Sequence, residues 1–185
     1  MNSVLISIQP QHTFNIVELR KTVEIRKSKP KLDVPFKCFI YETKKVHYDS
    51  ERYRYQGYGK VVGEFICDKI ERFSIPYPAY FSEVDKHTRD IIANACLTLL
   101  ETHEYLGRKN GYAWHISDLK VYDKPKELSE FKLPAKDSPK CGYSRCSNAV
   151  CGWFDNCQFR IIKRPPQSWC YCESLEEVDY ERDFV

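Results

Sequence analysis

The chain has 185 residues, of which 42% are hydrophobic and 14% aromatic, so it can bury one substantial core. Its 13 Tyr, 10 Phe and 3 Trp exclude an intrinsically disordered chain. Every apolar run falls short of the roughly 20 residues of a membrane span, and the first ten residues lack the basic start of a secretory signal. These features predict a globular protein of the cytoplasm.

Charge is distributed unevenly around a net value of +3. Residues 20–37 carry seven basic side chains against two acidic ones, a local charge of +5. Residues 173–185 carry six acidic side chains against one basic one, a local charge of −5. This asymmetry predicts a surface that faces a polyanion and an acidic tail, although an ordinary lysine-rich face gives the same pattern.

Hydrophobic periodicity predicts many short strands and a few helices. The strands are expected at 4–8, 22–26, 36–41, 60–67 continuing to 73, 112–116 continuing to 122 after a bend, and 169–173. A helix is expected at 10–19, with Phe14, Ile16 and Val17 facing inward, and two more within 81–106. Thr98 opens a capping-box pattern for the last of these helices.

The segments between these elements are predicted as loops. Residues 27–35 form a basic, proline-containing loop, 47–59 a polar loop rich in tyrosine, and 123–131 a segment that leads out of the core. Gly63 lies within a predicted strand, which indicates a bulge or a close approach of another backbone. Short strands with few helices indicate an α+β fold built on a small barrel.

Nine cysteines fall into two groups. Cys38, Cys67 and Cys96 each stand alone in apolar surroundings and are expected to be small buried hydrophobes. The other six lie within residues 141–172.

Four of these six thiols lie within seventeen residues of a segment that has little periodicity, and we expect an ordering agent there: Cys141, Cys146, Cys151 and Cys157. Structural zinc bound by four thiolates would supply folding free energy to such a segment. Cys170 is a possible substitute for one ligand, most easily Cys151. Disulfides and free reduced thiols are the open alternatives.

One segment carries a family resemblance. Leu19 to Arg26 (LRKTVEIR) follows a predicted strand and helix and resembles the Gly-x-Lys-x-x-Glu-x-Arg signature of ASCH domains. Lys21, Glu24 and Arg26 match the signature, and Leu19 stands where the family has Gly. Three further segments support the resemblance: Gly59 to Phe65, Gly111 to Ile116, and Pro165 to Tyr171.

The resemblance implies a small PUA-like β-barrel, a class grouped with RNA-binding modules, of the phage or bacterial type with a Cys-rich insertion. It covers residues 3–131 and 164–173. We therefore expect one domain at 1–173 that contains the Cys-rich, zinc-binding insertion at 132–168, followed by the acidic tail at 174–185.

A ligand pocket is the first function that the resemblance implies. The pocket would bind RNA or a modified nucleotide through Lys21, Glu24 and Arg26, with phosphate held by the cations. On an extended strand, a bulge at Lys21 or Thr22 would be needed to bring these three side chains together. A stacking surface is expected from Tyr41, Trp114 or a loop tyrosine. The expected basic rim consists of Lys27, Lys29 and Lys31.

The alternative implied by the resemblance is an amidohydrolase that acts on an acylated cytidine. Related enzymes use a Lys and a Thr on the motif strand together with a Glu on a later strand. Lys21 matches the Lys, Glu24 occupies the position of the Thr, and Glu64 is the candidate for the later Glu. A salt-bridged rim without a ligand is the structural alternative to both functions.

Overall fold

The computed structural model describes residues 2–48, 54–76, 84–134 and 160–173. Within these ranges the chain forms eight strands and three α-helices. In chain order they are β1 (Asn2–Ile8), α1 (Pro10–Val17), β2 (Val23–Arg26), β3 (Phe36–Glu42), β4 (Val46–Tyr48), β5 (Arg54–Gln56), β6 (Val61–Phe73), α2 (Lys86–Asn94), α3 (Leu99–Leu106), β7 (Gly111–Lys126) and β8 (Trp169–Glu173).

Six strands form one mixed sheet in the order β2-β7-β6-β3-β1-β8. The β1–β3 pair is parallel and every other pair in this sheet is antiparallel. The predicted α+β class is therefore confirmed. In the described part of the chain the sheet stays open, with β2 and β8 as its two edges.

Side chains and backbone groups bridge the gap between the two edge regions. Arg26 in β2 donates from Nη2 to the Ser7 carbonyl of β1 at 2.6 Å. Trp169 in β8 donates from Nε1 to Ser28 Oγ at 3.1 Å, and the Lys31 amide donates to the Tyr171 hydroxyl at 2.7 Å. Because β2 and β1 lie four strands apart in the sheet order, these contacts show that the sheet curls back on itself.

The core lies on both faces of β1 and β3. Val4, Leu5 and Ile6 are all fully buried, although successive strand residues point to opposite faces. Phe131 is also fully buried and packs on Phe39 with ring centroids 5.0 Å apart. The prediction that residues 123–131 lead out of the core therefore holds for residues 123–130, which are exposed or half-buried, and is wrong for Phe131. Here β7 extends to Lys126 and the chain then turns back onto the sheet.

Two predictions about burial need correction. The buried residues of α1 are Pro10, Thr13 and Ile16, a spacing of three along one face, whereas Val17 is 40% exposed. Cys96, in the turn after α2, is half-buried and has a positive φ of 51°.

Irregularities in β6 and β7 and a small second sheet account for the remaining differences between the predicted and the observed strands. The register of β6 shifts between Val61 and Gly63, as expected, and a Cβ on Gly63 would lie 2.6 Å from the Lys120 carbonyl oxygen. The two predicted strand pieces within 112–122 form the single strand β7, bent at Asp118 with φ of 46°. The predicted loop at 47–59 contains most of β4 and the whole of β5, and these two strands pair with each other.

The helices begin as their sequences indicate. Thr98 and Glu101 form the predicted capping box of α3, with hydrogen bonds in both directions. No helix in the described ranges is long and apolar enough to cross a membrane.

Candidate functional site

A turn between α1 and β2 brings the motif residues together. Leu19 has φ of 57°, and the amides of Arg20 and Lys21 both donate to the Asn15 carbonyl at 2.9 Å. Lys21 therefore lies before Val23, the first residue of β2. Its side-chain direction is not set by the alternation of side chains along the strand. The predicted bulge is unnecessary, because the turn itself brings the Lys21 side chain to the face that carries Glu24.

Lys21, Glu24 and Arg26, hereafter the triad, are in direct contact. Lys21 Nζ lies 3.2 Å from Glu24 Oε2, and Arg26 Nη1 lies 2.5 Å from Glu24 Oε1. Lys21 also donates to the Ala95 carbonyl at 2.7 Å. The three residues are 2%, 4% and 9% exposed, so two cations and one carboxylate form a buried cluster with a net charge of +1.

Electrostatics fix the charge of this cluster. Burial by itself raises the pKa of Glu24, but the charges of Arg26 and Lys21 outweigh that effect, and the net direction is downward. His12 lies near the triad, and its pKa is lowered, mainly by burial, against an opposing effect of Glu24. The site therefore combines an ionised carboxylate with an imidazole that is neutral at neutral pH.

The triad lines a cleft of about 1290 Å³. The ends of β1 and β3, the first turns of α1, strand β2, helix α3 and residues 163–168 contribute to its lining. Because β1 and β3 are parallel, their carboxyl ends meet at the same edge of the sheet, and polar residues that follow both strands face the cleft. The lining contains five basic and three acidic side chains and is therefore electropositive.

Three of these basic residues are exposed, and we call them the lysine rim: Lys44, Lys45 and Lys163. Lys44 follows β3, and its aliphatic stem lies against Gly59, which has φ of 70°. A Cβ on Gly59 would lie 2.3 Å from both Cγ and Cε of Lys44. The glycine thus leaves room for this stem.

Tyr41 and Trp114 were both predicted to supply the stacking surface, but of these two only Tyr41 lines the cleft. Trp114 does not line the cleft and is completely buried, at 0% exposure. Its ring packs edge-on against Phe36, with ring centroids 5.9 Å apart. Its stacking role is therefore incompatible with this geometry. Tyr55 and Tyr105 also line the cleft, and Tyr105 is 38% exposed.

The predicted basic rim lies beside the cleft and does not line it. Lys27, Lys29 and Lys31 are exposed on the connection from β2 to β3. Lys27 Nζ lies 4.8 Å from the ring centroid of Tyr105, which places it at the border of the cleft. This loop and the lysine rim are therefore two separate groups of cations.

Glu64 belongs to a different cluster. On β6, its carboxylate accepts from Lys37 Nζ at 2.9 Å and from the Tyr122 hydroxyl at 2.5 Å. Burial raises the pKa of Glu64, but these hydrogen bonds and the charge of Lys37 lower it overall. Glu64 does not line the cleft with Lys21 and Glu24, so the three candidate catalytic residues are not brought together.

Sequence reasoning missed Gln11 and His12, which line the cleft from α1, and the lysine rim. The sequence signal for these residues is their position after a strand: Gln11 and His12 follow β1, and Lys44 and Lys45 follow β3. This position indicates a shared site only when the two strands are known to pair in parallel.

The four clustered cysteines lie outside the described residues. Cys170 in β8 is a half-exposed free thiol, and burial raises its pKa to about 11. Among the residues that the structure describes, no group of three or more His, Cys, Asp or Glu side chains is arranged to hold a metal ion.

Comparison with solved structures identifies the fold. No family model matches the sequence, and no curated protein matches it. The structure resembles the crystal structure of ASCH from Zymomonas mobilis, with a TM-score of 0.54, 19% identity, and coverage of 91% of this chain and 86% of that chain. Two single-substitution variants of the Zymomonas mobilis protein match with TM-scores of 0.53 and 0.52 at 18% and 17% identity, covering 91% of this chain and 88% and 87% of theirs.

These matches show that the fold is that of a small α+β domain. More particularly, the chain has the ASCH-domain fold, as the motif at Leu19 to Arg26 predicts.

Proposed function

We propose that this chain is a binding module for RNA or a modified nucleotide, and that its ligand occupies the cleft over the triad. The observation that carries the proposal is the buried triad with its net charge of +1 at the base of an electropositive cleft of about 1290 Å³. Such a site suits a ligand that combines negative charge with a heterocycle.

Phosphate is best held by the lysine rim. Both terminal nitrogens of Arg26 already donate, Nη1 to Glu24 and Nη2 to Ser7, and Lys21 contacts Ala95 and Glu24. The exposed ammonium groups of Lys44, Lys45 and Lys163 can instead follow a backbone that crosses the mouth of the cleft.

A tyrosine supplies the stacking surface in this arrangement. Tyr105 presents its partly exposed ring at the cleft, and the ammonium of Lys27 lies over that ring. Aromatic side chains bind unpaired bases of any sequence through their ring faces. Tyr41 lines the inner part of the cleft and is only 5% exposed, so it packs around the ligand and offers little free ring surface.

The geometry favours binding over amidohydrolysis. Lys21 is held by Ala95 and Glu24, and a carboxylate occupies the position of the expected nucleophile. Glu64 is engaged by Lys37 and Tyr122 elsewhere.

Charge reversal at the rim tests the proposal. Fluorescence anisotropy with a labelled single-stranded RNA should show at least a tenfold weaker affinity for the Lys44→Glu, Lys45→Glu double variant. The matched control is Lys124→Glu, a single charge reversal at an exposed position of β7 that does not line the cleft. Equal losses per reversed charge in the rim and control variants would contradict binding at the cleft.

A parallel incubation with an N4-acylated cytidine separates the two functions. The proposal expects no release of the acyl group. Acyl release that is lost in Lys21→Ala would establish the amidohydrolase instead.

Zinc binding by Cys141, Cys146, Cys151 and Cys157 stays a proposal for residues outside the described ranges. The cytoplasmic location and the phage or bacterial origin also stay predictions.

A further inference from the structure

The cleft contains buried polar atoms that have no hydrogen-bond partner among the described residues. They are Gln11 Oε1, His12 Nδ1, Arg26 Nε and Thr43 Oγ1. Glu24 Oε2 is a fifth such atom, but it forms an ion pair with Lys21 Nζ at 3.2 Å. All five residues line the same cleft. Buried polar groups in folded proteins are almost always paired, so a concentration of unpaired ones in one place indicates that a ligand or ordered water completes them.

The unpaired atoms include both an acceptor and a donor. Gln11 directs its amide nitrogen towards Gln9 Oε1, 3.4 Å away, which leaves Oε1 as an acceptor. Arg26 is only 9% exposed, and its Nε–H is a buried donor that has no partner among the described residues. His12 supplies a third atom, and its lowered pKa keeps the ring neutral and able to accept or donate according to its tautomer.

A nucleobase edge has the complementary chemistry. Each base presents at least one donor and one acceptor side by side in a plane on its Watson–Crick edge, whereas phosphate and ribose lack this combination in a planar, uncharged form. A base in the cleft would also explain why the donors for phosphate lie outside, on the lysine rim.

We infer that Gln11 and His12, together with Arg26 Nε, recognise the hydrogen-bonding edge of a single unpaired base, and thereby determine which base the cleft accepts. This inference rests on the proposed function and assigns its specificity to α1. The phosphate backbone then contributes affinity through the lysine rim, and the α1 residues contribute discrimination.

The test compares oligomers that differ only in their bases. The probes are single-stranded ten-residue homopolymers of A, C, G and U and an abasic ten-residue oligomer with the same backbone. The wild-type protein should bind at least one homopolymer about tenfold or more tightly than the abasic oligomer, the range expected of a well-placed pair of hydrogen bonds. Methylation of the preferred base on its Watson–Crick edge should remove this preference.

Two variants locate the preference. Gln11→Leu and His12→Phe should each bring the ratio of homopolymer to abasic affinity close to one. Gln56→Leu is the matched control, because Gln56 is exposed on β5 and does not line the cleft. His12→Asn retains a polar atom near the position of Nδ1 and should keep part of the preference, so it tests the role of the ring even if His12→Phe does not fold.

The outcomes separate the two proposals. If no oligomer binds, the proposed function fails and the inference fails with it. If all oligomers bind in a salt-dependent manner but the abasic oligomer binds as tightly as the others, only the inference is overturned. An unchanged preference in both Gln11→Leu and His12→Phe overturns it as well.

Discussion

The guanidinium of Arg26 binds the carboxylate of Glu24 through an Nη1–Oε1 contact of 2.5 Å inside the curl of the sheet. Its other terminal nitrogen donates to the Ser7 carbonyl of β1 at 2.6 Å. One side chain thus neutralises the buried carboxylate and connects edge strand β2 to a strand four places away in the sheet order.

Removal of this guanidinium should destabilise the fold. Arg26→Met leaves Glu24 with Lys21 alone and the Ser7 carbonyl without this donor, and breaking a buried ion pair in this way costs about 3–5 kcal/mol. Chemical denaturation measures the change in the free energy of unfolding. The control is Arg20→Met, because Arg20 and Glu18 form an exposed pair with a 3.9 Å separation. That variant should change stability by less than about 1 kcal/mol, and equal effects of the two variants would contradict the structural role of Arg26.

Acid should weaken the fold through Glu24. The folded-state pKa of Glu24 lies below 4.5, because the charges of Arg26 and Lys21 outweigh the effect of burial. The ionised form therefore stabilises the fold above pH 4.5, and this contribution is lost as the pH falls through the lower, folded-state pKa. Urea denaturation from pH 7 to pH 3 should show a less steep loss of stability for Glu24→Gln than for the wild type. An identical slope below pH 4.5 would contradict the shift.

His12 should act in a separate pH window. Its folded-state pKa lies below 6.5, mainly because of burial, so the unfolded chain binds a proton more readily than the folded one. The free energy of unfolding therefore falls as the pH drops below 6.5. In the same denaturation series, His12→Asn should flatten the curve in this window. A curve that keeps its wild-type shape would show that His12 does not titrate there.

The sequence predicted the triad but not the whole cleft. Lys21, Glu24 and Arg26 could be named because a short motif places them on one local segment, and their contacts depend mainly on that segment. The opposite side depends on the parallel pairing of β1 with β3, a long-range relationship that periodicity does not reveal. Trp114 illustrates the same limit, since a strand pattern cannot show that both faces of the sheet are covered.

Leu19 explains why the family signature has glycine at this position. Its φ of 57° is unfavourable for a side chain with a Cβ, and its side chain is 72% exposed and contributes little packing. Leu19→Gly should therefore stabilise the protein by about 0.5–1 kcal/mol, since relief of backbone strain exceeds the entropy that glycine loses on folding. Leu19→Ala keeps the strain and should be neutral or destabilising. Thermal denaturation compares the two variants, and a lower stability for the glycine variant than for the alanine variant would contradict the argument.

Zinc is the last prediction, and it concerns the Cys-rich segment. If four thiolates hold one ion, purified protein should contain about one equivalent of zinc by elemental analysis, and Cys141→Ser should release it. Because thiolates must lose protons to bind, retention should fall as the pH drops. Cys151→Ser distinguishes the two ligand sets: the metal should be lost if Cys151 is the fourth ligand, and retained if Cys170 takes its place. Cys38→Ser is the control for general effects of losing a thiol, since Cys38 is buried in the core of β3. Protein that contains no zinc after preparation under reducing, chelator-free conditions would leave disulfides or free thiols as the state of these cysteines.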